Sequence, residues 1–437
     1  MKTLSVITMG CSKNRVDSEH ILAAAEAAGW RIVDEEEVFS KGVDTLIVNT
    51  CGFILDAKEE SIEMILNGVE AKKKGLVGEL VVMGCLSQRY REELPAEIPE
   101  VDKWMGSYET DSILKYLGIR KPPKSLVRRH LTTPSHYAYL KISEGCDRHC
   151  SYCAIPSIRG RLASVPMEEL LEEARGLAAK GVRELIVVAQ DTTDYGRDLY
   201  GRRVLARLLS ELEKIEGIEW IRIHYSYPTS FPKDVLEIMA RSGKICPYMD
   251  IPLQHSSTKV LKAMRRGIDG PSTCALVETM RKAVPGIVLR TTMIVGHPGE
   301  GSREFRQLLD FVSKYKFERL GAFQYSQEEG TWGAKHLPDT VRPSTKQKRY
   351  EELMELQSSI SLDFNRGRIG TDERVIVDSW DDERKCLVCR SRLESPGVDG
   401  EILISCPDRK KGPALVGKML DVKITGADEY DLIAEMR

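Results

Sequence analysis

The stretch Glu144-Gly145-Cys146-Asp147-Arg148-His149-Cys150-Ser151-Tyr152-Cys153 places three cysteines on one short loop. Their Cys-x3-Cys-x2-Cys spacing can direct three thiolates to a cubane 4Fe-4S cluster, whereas full ligation of such a cluster takes four thiolates. The fourth iron is then open, and the amino and carboxylate groups of S-adenosylmethionine can chelate it. A zinc site is the alternative, but zinc needs a fourth Cys or His, and His149 lies too close to its neighbours to serve easily.

The region around this loop has the pattern of repeated βα units. Strand signals cover residues 137–142, 184–189, 219–224, 248–253, 287–295 and 319–324, and helical patterns separate them. Such a repeat predicts a parallel barrel of about six units, a partial (β/α)6 form of the eight-unit TIM barrel. The cysteine loop follows the first strand, at the carboxyl face where barrel enzymes carry out their chemistry.

Polar side chains follow several of the other predicted barrel strands. Buried strand ends that carry polar groups are costly unless those groups are used. We predict cofactor contacts for Tyr152, Gln190, Asp191, Arg290, Gly296 and Glu300, and substrate contacts for Gln254, His255 and Tyr325. The alternative is that these groups cap helices and bind water.

The N-terminal region predicts a parallel α/β sheet with a second cysteine site. Apolar strands at residues 4–9, 45–49 and 79–83 lead directly into Cys11, Cys51 and Cys85, and a helix follows each cysteine. A lone cysteine after a strand is usually a small buried hydrophobe. Three cysteines that each follow a parallel strand directly would lie together at the carboxyl edge of the sheet, where such sheets bind ligands. We interpret them as a second three-cysteine 4Fe-4S site with its own open iron.

The C-terminal region predicts a small antiparallel β-barrel after a long polar helix at residues 343–366. Short strands at 374–377, 386–389, 401–404 and 419–424 are divided by Gly, Pro and Asp. Residues 372–437 hold 15 Asp and Glu against 11 Lys and Arg. Because RNA binding depends on cations, this acidic barrel is better suited to a basic protein. Cys386, Cys389 and Cys406 are interpreted as structural, with zinc as the alternative.

Length and composition are typical of a multidomain enzyme. The 437 residues predict about three domains, which we place at residues 1–121, 132–364 and 366–437. Residues Lys121–Lys124 and Arg128–His130 have the composition of a linker and lie between the first two domains. Eleven cysteines in a chain without a signal peptide or an 18-residue apolar run indicate metal or redox chemistry, a cytoplasmic location and no membrane partner. The net charge of -2 does not indicate a nucleic-acid partner.

Several motifs together resemble the radical S-adenosylmethionine methylthiotransferases over essentially the whole chain. They are Gly10–Asn14, Asn49–Gly52, Gly84-Cys85, the loop Cys146–Cys153 with Ile155-Pro156 and Arg159-Gly160, and Ile294–Glu300. The stretches Ala138–Cys146 and Tyr248–His255 and the acidic C-terminal barrel resemble the RimO branch. His297 replaces the usual aromatic residue, and Gly301-Ser302 replaces the usual Thr-Glu.

The resemblance implies a fold and a reaction. It implies an N-terminal domain with an auxiliary cluster, a radical barrel, a C-terminal TRAM barrel, two 4Fe-4S clusters and S-adenosylmethionine. One S-adenosylmethionine would methylate a sulfur on the Cys11, Cys51 and Cys85 cluster, and a second would be cleaved at the Cys146, Cys150 and Cys153 cluster. The resulting radical would abstract hydrogen from the β-carbon of an aspartate, which then takes up the methylthio group.

The implied partners are the twelfth small-subunit ribosomal protein, free or within the assembled subunit, and an electron donor such as flavodoxin or ferredoxin. One alternative is a tRNA N6-isopentenyladenosine methylthiotransferase, which the acidic C-terminal barrel disfavours. The others are a two-cluster electron carrier, although carriers close their clusters with four cysteines, and a zinc-stabilised RNA-binding protein. Metal analysis that finds zinc and no iron would favour the last.

Overall fold

The computed structural model describes residues 1–107, 109–120 and 129–437. Of the predicted linker, residues 121–124 and 128 lie outside the described residues. No helix within the described ranges combines the length and the apolar character needed to cross a membrane.

The N-terminal region is a five-stranded parallel sheet with helices on both faces. Its strands lie in the order β2-β1-β3-β4-β5. The elements are β1 (Thr3–Thr8), α1 (Ser12–Ala27), β2 (Arg31–Ile32), α2 (Val38–Lys41), β3 (Val43–Thr50), α3 (Leu55–Lys73), β4 (Val77–Gly84), α4 (Cys85–Arg89), α5 (Glu93–Glu97), β5 (Lys103–Trp104) and α6 (Thr110–Tyr116). Alternate strand residues pack into separate hydrophobic clusters on the two faces. The three predicted strands are confirmed, whereas the two-residue edge strands are too short to give a pattern.

The middle region is an open half-barrel of six parallel strands, in the order β13-β12-β11-β10-β9-β6. Its elements are β6 (Tyr137–Lys141), β7 (Ser143–Glu144), α7 (Ile155–Arg159), β8 (Ala163–Ser164), α8 (Met167–Ala179), β9 (Glu184–Val188), α9 (Arg197–Tyr200), α10 (Leu205–Leu212), β10 (Trp220–Ile223), α11 (Lys233–Arg241), β11 (Ile245–Asp250), α12 (Thr258–Ala263), α13 (Gly270–Ala283), β12 (Val288–Val295), α14 (Ser302–Tyr315), β13 (Arg319–Gln324), α15 (Trp332–His336) and α16 (Pro343–Arg366). All six predicted strands are confirmed. β11 lies three residues earlier than predicted, because the buried residues Ile251 and Leu253 extend the apolar pattern past its end.

The C-terminal region is a closed five-stranded barrel in the order β14-β15-β16-β18-β17. Its elements are β14 (Asp372–Asp381), β15 (Cys386–Arg390), β16 (Ile402–Ser405), α17 (Lys411–Leu415), β17 (Met419–Ala427) and β18 (Leu432–Met436). The sequence did not predict β18, which pairs parallel to β16, while the other four pairings are antiparallel as expected. Cys389 and Cys406 pack in the barrel core.

The C-terminal barrel covers the lower end of the half-barrel, where the strands begin. Glu184, at the start of β9, accepts from Arg222 at 2.8 Å and pairs with Arg390 of β15 at 2.9 Å. All three side chains are buried. Tyr248 packs beside them in a cluster that also contains Ile376 of β14. This buried arrangement fixes the C-terminal barrel against the half-barrel.

We expect Glu184→Gln to destabilise the protein by about 3–5 kcal/mol, because it leaves two buried guanidinium groups short of a counter-charge. Urea unfolding followed by circular dichroism measures the change. Glu216→Gln, at an exposed position, is the control and should change the free energy of unfolding by less than about 0.5 kcal/mol. Equal stability of the two variants would contradict the structural role of Glu184.

Candidate iron-sulfur active site

Three cysteines, here called the N-terminal triplet, lie at the carboxyl edge of the N-terminal sheet. Cys11 caps the start of α1, Cys51 follows β3 directly, and Cys85 opens α4. The strands β1, β3 and β4 that carry them are neighbours and end level with one another. The three thiols therefore meet at one edge of the sheet.

Two glycines allow the close approach of backbone segments around this triplet. Gly10 and Gly84 have φ values of +84° and +104°. A β-carbon at residue 10 would lie 2.8 Å from Sγ of Cys51, and one at residue 84 would lie 2.5 Å from the carbonyl oxygen of Thr50. Any other residue at these positions would clash as well as strain the backbone.

Two cations lie beside the N-terminal triplet. Nε of Arg159 donates to Sγ of Cys85 over 3.2 Å. Burial raises the pKa of Cys51 to about 11 and also raises that of Cys85. Burial would raise the pKa of Cys11 as well, but Lys13 and Arg159 outweigh it and lower that pKa. Since the thiolate is the form that binds metal, these cations favour ligation.

Cys146, Cys150 and Cys153 form a second group, here called the loop triplet, above β6. Gly145 has a φ of +71°, and a β-carbon there would lie 2.1 Å from the backbone oxygen of Arg161. The amide of Cys153 donates to the carbonyl of Cys150 over 3.1 Å. The loop is thus folded tightly on itself. Burial raises the pKa of Cys146 and of Cys153 to about 12.

Aromatic and cationic side chains surround Cys150. A guanidinium nitrogen of Arg266 donates to its Sγ over 3.3 Å, and the hydroxyl of Tyr227 lies 3.5 Å from the same atom. The guanidinium carbons of Arg148 and Arg266 lie 4.3 and 4.2 Å from the centroid of the Tyr227 ring. Tyr152 is half-buried in the same loop. Sequence reasoning singled out Tyr152 but missed Arg266 and Tyr227, whose roles depend on tertiary position.

One short helix joins the two triplets. α7 begins two residues after Cys153, and its last residue, Arg159, contacts Cys85. Ala154 and Ile158 pack against Cys85 as a small buried cluster. A helix of five residues rises about 8 Å. α7 therefore connects the loop triplet directly to Cys85 of the N-terminal triplet.

Arg159 also anchors a buried charge network that sequence reasoning missed. Its guanidinium donates to Glu144 over 2.9 Å and to Asp17 over 3.3 Å, and it also contacts Asn14. Lys141 pairs with both carboxylates. Burial alone would raise the pKa of Glu144, but Lys141 and Arg159 outweigh it and hold that pKa at about 2. The Arg159-Gly160 motif marks this arginine in the sequence, but the motif does not show which residues pair with it.

Two of the predicted cofactor contacts lie beside the loop triplet. Gln190 donates through Nε2 to Glu144, and its buried Oε1 has no hydrogen-bond partner in the described part of the chain. Asp191 accepts from Nε of Arg148 over 2.8 Å. Gln190 therefore offers a free acceptor to a ligand, whereas Asp191 positions Arg148.

The other predicted cofactor contacts are already engaged by protein groups. The amide of Gly296 donates to Glu300 over 2.7 Å, and Arg349 of α16 donates to the same carboxylate over 3.0 Å. Arg290 donates to Asp250 over 2.9 Å inside the half-barrel. These hydrogen bonds connect β11 to β12 and connect the segment after β12 to α16.

The three predicted substrate contacts share one property. Oε1 of Gln254, Nε2 of His255 and the hydroxyl of Tyr325 are buried and lack a hydrogen-bond partner among the described residues. Two backbone amides donate to Nδ1 of His255, so its proton lies on Nε2, 3.6 Å from Glu300. Buried polar atoms without partners are costly. These three atoms are therefore open to water or to a polar ligand.

His297 acts as an aromatic side chain in this structure. Its ring lies edge-on to Tyr325, with 4.9 Å between the centroids. Burial lowers the pKa of His297 to about 4. The neutral ring therefore takes the place of the aromatic residue expected at this position.

A cavity of about 490 Å³ lies where the three regions of the chain meet. Cys11 lines one side, Tyr139 and Tyr225 of the half-barrel line another, and Gly397 and Val398 of the C-terminal barrel close it. This cavity connects the N-terminal triplet to solvent-exposed residues of the C-terminal barrel. Of the N-terminal triplet, Cys11 is the member that lines this cavity.

Comparison with known proteins assigns a family. Residues 3–106 match the uncharacterized protein family UPF0004, residues 140–312 the radical SAM superfamily, and residues 369–436 the TRAM domain. The ribosomal protein uS12 methylthiotransferase RimO of Flavobacterium psychrophilum is 50% identical over 99% of this chain and 97% of its own length. The protein of the same name from Bacteroides thetaiotaomicron is 47% identical over 100% and 98%. This chain belongs to the RimO family.

Solved structures share the fold at low sequence identity. The radical S-adenosylmethionine methyltransferase TsrM from Kitasatospora setae aligns with a TM-score of 0.55 at 14% identity, over 74% of this chain and 73% of its own. The cobalamin-dependent S-adenosylmethionine radical enzyme OxsB aligns with a TM-score of 0.51 at 13% identity, over 82% and 56%. Both likenesses concern the fold alone.

A RimO-family chain with a radical SAM domain implies a 4Fe-4S cluster and S-adenosylmethionine, and the loop triplet fits them. It supplies three thiols, and the free Oε1 of Gln190 lies nearby. In the described ranges, no three His, Cys, Asp or Glu side chains converge as closely as a single metal ion requires. A cubane takes wider spacing, because each thiolate binds a separate corner.

We expect Glu144→Gln to lower the free energy of unfolding of the metal-free protein at pH 7 by on the order of 3 kcal/mol. The folded-state pKa of about 2 lies below the ordinary 4.5. The stabilisation is therefore complete above pH 4.5 and is lost as the pH falls through 2. Urea titrations at pH 7, 4 and 3 should show the difference from wild type shrinking. The exposed Glu63→Gln is the control, and a pH-independent difference would contradict this assignment.

Proposed function

We propose that this protein transfers a methylthio group to the β-carbon of an aspartate in the small-subunit ribosomal protein uS12. The observation that carries the proposal is the pair of cysteine triplets that α7 links, with Arg159 at its end donating to Cys85. Full-length similarity to proteins named ribosomal protein uS12 methylthiotransferase RimO supports it. We further propose residues 1–121, 132–364 and 366–437 as the functional domains.

In this proposal each triplet holds one 4Fe-4S cluster. The N-terminal triplet has three thiols, two neighbouring cations and the open cavity, which suits a cluster with one accessible iron. When bound, the clusters and S-adenosylmethionine supply the electron, the carbon radical, the methyl group and the transferred sulfur. The residues of the chain hold these groups, and α7 links the two triplets.

The chain's own side chains orient the reactants. Gln190 offers its free Oε1 to the cofactor beside the loop triplet. Gln254, His255 and Tyr325 offer three unpaired polar atoms to the substrate. Orienting the target C–H bond next to the reacting carbon supplies proximity, which accounts for a large part of such catalysis.

The charge of the C-terminal barrel supports a protein substrate. Its contact with the half-barrel buries or largely covers Arg390 and Arg392 on the basic side and Glu394, Asp399 and Asp378 on the acidic side. Of the 15 Asp and Glu and 11 Lys and Arg in residues 372–437, that leaves 12 acidic against 9 basic side chains, so a smaller acidic excess remains outside that contact. An acidic surface attracts a basic ribosomal protein and repels the phosphates of tRNA. A ribosomal substrate also places the protein in the cytoplasm.

The first experiment compares ribosomal proteins and tRNA by mass spectrometry in cells with and without this gene. We expect a methylthio mass increment to disappear from uS12 in the deletion strain, while modified tRNA is unchanged. Loss of the increment from tRNA alone would contradict the substrate proposed here and would favour the tRNA-modifying branch.

We expect Ala at any of the six triplet cysteines to abolish methylthiolation of uS12. Cys11→Ala should retain reductive cleavage of S-adenosylmethionine, whereas Cys146→Ala should lose it, because the open iron that binds this cofactor lies on the loop triplet. Chromatography of 5′-deoxyadenosine measures cleavage, and iron content measures each cluster. Cys274→Ala, on the outer helix α13, is the control. Loss of cleavage in Cys11→Ala would contradict the division of roles.

A further inference from the structure

A surface groove of about 830 Å³ lies on the outside of the half-barrel, behind the loop triplet. The segment after β10, the starts of α11 and α13 and the turn after α12 form its walls. Lys233, Lys262 and Arg265 line it and are exposed. We call this surface the basic groove.

The basic groove keeps a net positive charge. Within the described ranges, no carboxylate lies within 4 Å of the charged groups of Lys233, Lys262 or Arg265. Asp269 is the one carboxylate among the lining residues; it accepts from the amide of Ser272 at the start of α13, and its hydrogen bonds to Ser272, together with the charge of Lys262, lower its pKa. The groove therefore presents three cations against one carboxylate, with the guanidinium carbon of Arg265 lying 4.9 Å from the centroid of the Trp332 ring.

The floor of the groove is in direct contact with the residues that touch Cys150. Arg265 and Gly267, which line the groove, flank Arg266 in the chain. The hydroxyl of Thr229, another lining residue, donates to the carbonyl of Arg266 over 2.7 Å. The guanidinium of Arg266 in turn donates to Sγ of Cys150 over 3.3 Å.

A second connection runs through Tyr227. Its hydroxyl lies 3.5 Å from Sγ of Cys150 and donates to the carbonyl of Arg266 over 2.9 Å. Pro228, the next residue, lines the groove. One layer of side chains thus separates the basic groove from a ligand of the proposed radical cluster.

We propose that the basic groove is the docking site of an acidic one-electron carrier protein. The proposal rests on the proposed function only in that the loop triplet holds a reducible cluster. In the transfer, the reduced carrier loses one electron and that cluster gains it, so that charge balances without a proton. A short path matters because electron transfer slows steeply with distance, and the groove is separated from Cys150 by one layer of side chains.

Charge complementarity favours this occupant. Flavodoxin-type carriers are small and acidic, and opposite charges steer such partners into productive encounters. Redox encounters are also transient and use small interfaces, which suits a groove of this size. The acidic C-terminal barrel would repel the same carrier, so the groove and that barrel differ in the sign of their charge.

The test compares Lys233→Glu/Lys262→Glu with Lys282→Glu/Lys348→Glu in the cluster-loaded protein. The control reverses two exposed lysines outside the groove, one of them on α13, and changes the net charge equally. Binding of oxidised flavodoxin is measured by calorimetry at low and high salt. Cleavage of S-adenosylmethionine is measured with reduced flavodoxin and with dithionite, which needs no docking site.

We expect the groove variant to bind flavodoxin roughly tenfold more weakly at low salt, with the difference disappearing at high salt. Its flavodoxin-driven cleavage should fall by a similar factor while dithionite-driven cleavage equals that of wild type. The neutral pair Lys233→Gln/Lys262→Gln should fall between wild type and the reversed pair.

Three results would overturn the proposal. They are wild-type binding by the groove variant, an equal loss in the control variant, and an equal loss of dithionite-driven cleavage. A wild-type protein that accepts electrons from flavodoxin through the groove but does not modify uS12 would instead contradict the proposed function and leave the docking site standing.

Discussion

The buried guanidinium of Arg159 is the interaction on which the arrangement of the site depends. A charge without water is costly unless opposite charges and hydrogen bonds surround it. Here the partners are Asp17 of the N-terminal sheet domain, Glu144 of the half-barrel and the thiol of Cys85. Satisfying one group therefore requires both domains to be in place, and it holds Cys85 of the N-terminal triplet against the end of α7, the helix that follows the loop triplet.

A second set of buried charges fixes the opposite end of the half-barrel. Glu184 lies between Arg222 of the half-barrel and Arg390 of the C-terminal barrel. Ion pairs of this kind add little net stability compared with apolar packing, but removing one partner lowers the free energy of unfolding substantially. The three domains are thus joined by a charged contact at each end of the half-barrel, and each has its own apolar core.

Periodic features of the fold could be predicted from the sequence. Strands of the half-barrel, the cysteine loop and the placement of Cys11, Cys51 and Cys85 follow from apolar runs and spacing, which are local properties. The pairing of Arg159 with Asp17 and of Arg266 with Cys150 could not be predicted, because each joins residues more than a hundred positions apart. β18 escaped prediction because Ile433 and Met436 are exposed apolar residues, which breaks the alternation of buried apolar and exposed polar residues along the strand.

For the predicted ligand contacts, too, the sequence indicates the position of a side chain but not its tertiary contacts. Position in the sequence places Gln190 and Glu300 at the same face, but only the tertiary contacts show that Glu300 is occupied by Arg349 and the amide of Gly296. Gln190, Gln254 and Tyr325 keep unpaired atoms. A strand end alone therefore predicts where a polar side chain lies, whereas its neighbours decide whether it is available.

The pairing of β18 with both β16 and β17 also has a consequence during synthesis. β18 is the last of the five strands in chain order, so the C-terminal barrel cannot close until all of them have been translated. Until then the lower end of the half-barrel, including Trp220, Tyr248 and Val288, lacks its cover. Nascent chains with exposed apolar surface of this kind are prone to aggregate. The half-barrel therefore keeps an exposed apolar surface for as long as the C-terminal barrel is incomplete.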